Sequence, residues 1–192
     1  MRGEYFQNAF LLGTLYVDVS NDTVVASKPK VEILPWAQAR FSAVRDYRHY
    51  AQMVGRYWGA QVFPNHVLPT LAPWFPWFVV TPGAGVQLEA DSQYMFALTL
   101  ASQYAITEAI LADPPMPEAV FEPLARQLAG AGLPVADAAQ QGRQQALAYC
   151  AAYRVEHAVL TDAQRQRVIE QLRQANQCLA VFKVSSFTPE PG

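Results

Sequence analysis

From Gly13 to Ser20 the chain alternates, with Leu15, Val17 and Val19 on one side and Thr14, Tyr16 and Asp18 on the other. A period of two is that of a half-buried strand whose apolar side faces a core. Asn21-Asp22 supplies turn chemistry before residues 23–27, and Lys28-Pro29-Lys30 interrupts before residues 31–34. Residues 13–34 are therefore expected to form two or three short antiparallel strands. Residues 5–12 fit either a short helix or a lead-in strand. Beyond Pro35 the spacing becomes helical: from about Gln38 to Trp58, the positions Phe41, Val44, Tyr47, Ala51, Val54 and Trp58 share one side, with Gly59 as the stop. Arg45, His49, Gln52 and Arg56 form a separate polar stripe.

Prolines at 64, 69, 73, 76 and 82 exclude a regular helix through residues 60–82 and predict an extended, turn-rich connection. Its end reads as a hairpin, residues 77–81 pairing with 86–89 across Pro82-Gly83-Ala84-Gly85. Asp91 is a suitable N-cap for one helix running to Ala112, apolar almost all round, with a thin polar strip at Ser92, Thr99, Gln103 and Thr107. Such a helix lies at the centre of a core or in a membrane. The 17 residues from Met95 to Leu111 include Ser102, Gln103 and Glu108, which favours the core. A short helical piece is expected at 123–128, with Pro123 better suited to a helix start than to its interior. A long helix follows over about 136–158, with a stripe of Ala146, Tyr149, Cys150, Tyr153 and His157. Thr161-x-x-Gln164 matches a capping box and opens a last helix with Val168, Leu172, Ala175 and Leu179 facing inward. Residues 181–187 fit an extension of that helix or an edge strand.

The pattern predicts an α+β fold, predominantly helical, with a small antiparallel sheet drawn from residues 13–34 and 77–89 and a C-terminal helical hairpin. Residues 1–192 are read as one domain: a β-rich part over 1–35, a mainly helical part over 36–188 that contains the 77–89 hairpin, and a tail at 189–192. An apolar fraction of 52% in 192 residues is enough for a substantial core. Fourteen basic and sixteen acidic side chains lack the basic footprint of a nucleic-acid binder. Glu4, Asn8 and Thr14 break up any leader-like apolar run at the N-terminus, so a cytoplasmic location is expected and a membrane partner is not. In a hairpin bent near residue 160, Cys150 and Cys178 would be offset by about 12 Å along the axis, too far to bridge, which predicts two reduced and mostly buried thiols.

No diagnostic catalytic, metal or cofactor motif is present. His49, with Asp46 one turn earlier and Arg45 and Arg56 nearby, has the makings of an acid/base pair beside an anion-binding stripe, and reads equally as a solvated, charge-laced helix face. His66 lies in the irregular proline-rich connection, where functional side chains concentrate. His157 reads as a core or interface residue. Asp18 and Asp22 fit turn chemistry better than a metal site. Pro82-Gly83-Ala84-Gly85 lacks the remaining residues of a phosphate-binding loop. No cofactor or metal is expected.

The outstanding feature is aromatic: Tyr57, Trp58, Phe63, Trp74, Phe75, Trp77 and Phe78 lie within 22 residues. Rigid proline-rich backbone interleaved with rings presents apolar area at low ordering cost, which makes this segment the expected contact surface. The leading expectation is a non-catalytic accessory protein that binds another protein through it, with self-association left open. The alternative is an enzyme for an apolar or aromatic small molecule, with His49 or His66 as general base and Arg45 or Arg56 holding an anionic group. A third is a membrane-associated accessory built on residues 95–111.

Overall fold

The computed structural model describes residues 9–20, 26–40, 42–81, 85–88, 93–155 and 161–182. The fold is α+β and mainly helical, with a C-terminal pair of helices. Its strands form two separate antiparallel three-stranded sheets rather than one, and the chain groups into two compact units, Met1–Arg45 and Asp46–Gly192.

The N-terminal unit holds β1 (Phe10–Leu12), β2 (Leu15–Asp18) and β3 (Glu32–Pro35) in the order β1-β2-β3. Phe10 pairs with Val17 and Leu12 with Leu15, while Leu15 pairs with Pro35 and Val17 with Ile33. Gly13 supplies the positive φ, +61°, that the β1–β2 turn needs. A single 3-10 turn at Trp36–Gln38 follows β3. Residues 21–25 and Phe41 lie outside the described residues.

In the second unit, α1 (Tyr47–Trp58) starts nine residues later than the periodicity suggested. Asp46 is its N-cap: the Asp46 carboxylate accepts the His49 backbone N–H at 2.7 Å, and Gly59 closes the helix in the left-handed conformation. The proline-rich connection was expected to be extended and turn-rich ahead of the 77–81 strand. It opens instead on a strand, β4 (Gln61–Pro64), paired with β5 (Trp77–Thr81), which pairs in turn with β6 (Gly85–Leu88). Pro64 ends an edge strand, where its missing N–H costs the ladder nothing. Asn65 makes the fold-back possible. Its N–H donates to Pro76 O, its side-chain amide donates to Phe75 O, and its Oδ1 accepts the Leu68 N–H. With those groups satisfied, residues 65–75 coil through tight turns in the interior, where backbone normally cannot be left.

The single helix expected over 92–112 is two: α2 (Gln93–Ala101) and α3 (Ala105–Leu111). Gln103 and Tyr104 both take positive φ, +51° and +67°, and break it. Of the polar strip, Thr99 and Thr107 are buried, Gln103 is exposed and Ser92 lies outside the described residues. The Tyr47 hydroxyl and Thr99 Oγ1 are hydrogen-bonded at 2.9 Å, and Thr107 Oγ1 donates to Pro73 O at 3.3 Å. Asp91 lies outside the described residues. No described helix is long and apolar enough to cross a membrane.

Helix α4 (Glu118–Gly130) is longer than expected and contains Pro123 in its interior, contrary to the expected helix start. Helix α5 (Ala139–Val155) buries Ala139, Gly142, Ala146 and Cys150 and packs chiefly on α3. Helix α6 (Asp162–Leu179) opens on the expected capping box: Thr161 Oγ1 accepts the Gln164 N–H, and the Gln164 side chain accepts the Thr161 N–H. It packs on β6 and α4, with Leu172, Ala175 and Leu179 buried. The Asn176 amide lies against β6, accepting the Leu88 N–H at 2.7 Å and donating to Leu88 O at 2.8 Å. His157 and residues 183–192 lie outside the described residues.

Candidate functional site

The aromatic connection is interior. Trp74, Trp77 and Phe78 are fully buried and Phe75 is 6% exposed, which overturns the expectation that they present a contact surface. Trp74 stacks on Phe96 with centroids 4.9 Å apart and meets Tyr104 edge to face and Tyr153 at a tilt. Trp77 lies between Tyr47, edge-on at 4.8 Å, and Tyr50, stacked at 5.1 Å. The physical reason is Asn65: once it satisfies the buried backbone, the whole segment can turn inward. Phe63 is half-buried on β4. Only Tyr57 and Trp58, which touch edge to face at the end of α1, remain exposed, at 40% and 47%.

The candidate catalytic groups are also committed elsewhere. His66 is fully buried, its Nε2 bonded to Leu111 O at 3.0 Å and its Nδ1 accepting the Met116 N–H at 3.1 Å. This fixes a neutral ring protonated on Nε2, and burial holds its pKa below the ordinary histidine value, with the Arg143 charge acting in the same direction. A ring with both nitrogens engaged by backbone is a structural tie between residues 66, 111 and 116, not a proton acceptor for substrate. His49 is 6% exposed rather than on a solvated stripe, and the Asp46 carboxylate binds the His49 backbone N–H. Arg45 precedes α1 and Arg56 lies in its last turn, both exposed. The Cys150 thiol is buried and pushed up to about 12, so it is not nucleophilic, while Cys178 is half-buried and free. The Asp18 carboxylate takes up the Tyr16 hydroxyl and the Ser20 N–H, which is turn chemistry. No group of three or more potential metal ligands occurs among the described residues.

An open groove of about 520 Å³ in the second unit is walled by Pro69, Pro134, Val135, Ala148, Tyr149 and Ala152, with Thr70 and Gln145. None of the candidate residues from the sequence lines it. It has no charged side chain, and its only hydroxyls are those of Thr70 and Tyr149.

A row of exposed apolar side chains lies on the N-terminal sheet. By register, Phe10, Leu12, Leu15, Val17, Ile33 and Pro35 share a face. Phe10, Leu12 and Ile33 are each about 60% exposed and Leu15 is 43% exposed. Val19 and Val31, next along the same alternation, are about half exposed. Tyr16 and Asp18, on the reverse, are buried. The alternation of Leu15, Val17 and Val19 predicted the apolar side to be the covered one, and the opposite holds. Periodicity reports that a strand has an apolar side, not what that side meets. The usable signal was compositional: residues 1–45 supply an apolar sheet side and, among the described residues, no helix beyond one 3-10 turn to cover it.

No protein-family model, curated protein or solved structure matches this chain.

Proposed function

We propose that the chain is a non-catalytic protein-binding protein whose contact surface is the apolar face of the N-terminal sheet. The observation that carries this reading is the exposure of Phe10, Leu12 and Ile33 together on one face without an ionisable group among them. Uninterrupted apolar sheet surface of this kind marks an interaction site or becomes an aggregation hazard. The enzyme alternative has less support, since both His66 ring nitrogens are engaged by backbone and no charged side chain lines the groove in the second unit. We further propose a cytoplasmic location, supported by two free cysteines in a chain without a disulfide framework.

The test is a photo-crosslinking amino acid placed at position 12, with position 11 as control, because Leu11 is 58% exposed on the reverse face of the same strand. Crosslinking in cells to a second polypeptide from position 12, and at least fivefold less from position 11, is the expected result. Adducts that stay within one molecule, at monomer mass, would overturn the reading.

A further inference from the structure

We infer that the occupant of this face is a second copy of the same chain, packed sheet on sheet. The inference rests on the reading of the face as a contact surface and adds the identity of the partner.

Three observations carry it. The face is formed by three antiparallel strands with aliphatic or aromatic side chains at six register-matched positions. Two such faces interdigitate at a separation of about 10 Å, as in a β-sandwich, with the strands of the two sheets nearly aligned. The face also carries no charge. Glu32 and Asp18 pair on the reverse, so juxtaposing two identical copies brings no like charges together. A two-fold interface must be complementary to itself, and a uniformly apolar surface meets that condition where a charged one would need its opposite. Finally, the extent is suitable. Counting Val19 and Val31 with the six register-matched positions, the observed exposures leave on the order of 600 Å² of apolar surface per copy, or about 1,200 Å² in a dimer, at the lower limit for specific association. An area at that limit implies a dimer that exchanges with monomer.

The experiment is sedimentation equilibrium on the full chain over a concentration series of roughly 1 to 200 µM, a span suited to an interface of this size. The expected result for wild type is an average mass rising towards twice the 21.3 kDa monomer. Leu12→Lys and Ile33→Lys should remain at monomer mass at the top concentration, with unfolding midpoints near wild type because both side chains are already exposed. Leu11→Lys adds the same charge to the other face and should dimerise within twofold of wild type. A wild type that stays at monomer mass overturns the inference, and so does a Leu11→Lys variant as monomeric as Ile33→Lys. If wild type is monomeric while position 12 crosslinks to a different polypeptide, the contact-surface reading stands and only the second copy is lost. If neither result appears, both fall.

Discussion

At the scale of single residues, His66 and Trp74 convert two functional candidates into structural ones. In folded protein the His66 ring is neutral, with a pKa below the unfolded value of about 6.5. The unfolded state therefore binds more protons in the interval below that value. Its contribution to stability is fully present above pH 6.5 and is lost as pH falls towards the folded pKa. Urea midpoints measured between pH 7.5 and 5 should fall for wild type, and His66→Gln should show a smaller pH slope on a lower plateau. Trp74 makes the sharper test of interior against surface. Truncating a fully buried tryptophan costs about 3–5 kcal/mol, which lowers the melting midpoint by roughly 10 °C in a chain of this size. A Trp74→Ala midpoint within 2 °C of wild type would contradict the buried aromatic cluster.

At the scale of elements, the legible parts of the fold were those written in short-range chemistry. The Thr161–Gln164 capping box places the start of α6, and the 77–89 hairpin is given by its turn and strand composition. Long-range satisfaction was not legible. Nothing local to Gln61–Pro64 says that it will pair with β5, because the Asn65 contacts that fold it back reach ten residues ahead. The α2–α3 break at Gln103 and Tyr104 carries no proline or glycine, and helical periodicity runs through it. It is held from outside, Arg154 donating to Gln103 O and pairing with Glu108. Helix α5 shows the same dependence. A Cβ on Gly142 would lie 1.7 Å from the His66 carbonyl oxygen, a backbone atom that cannot swing aside. Gly142→Ala, which favours an isolated helix by about 1 kcal/mol, should here destabilise by about 3 kcal/mol, read as a drop in the urea midpoint at unchanged slope.

At the scale of the molecule, the two compact units differ in how they resolve their sheets. In the second unit, β5 is buried on both faces, and its residues Trp77 to Val80 belong to the interior. In the first, the sheet keeps one apolar side outward, and the candidate site resides there rather than in the aromatic segment that dominates the sequence. Ring content drew attention to the wrong segment because composition measures how much apolar surface exists, while position relative to covering elements determines where it remains accessible. The candidate site was therefore readable only as a strand pattern, with its polarity inverted.

The Asn176 amide on β6 has a consequence for solubility. It occupies the outermost rung of the second sheet as a one-residue substitute for a further strand, answering both backbone groups of Leu88. Asn176→Leu would keep the helix and its bulk but uncap that rung, leaving a ready template for another chain. Turbidity and thioflavin fluorescence on prolonged incubation should then rise in the variant while wild type stays clear, making one carboxamide the guard against fibrillar growth from that rim.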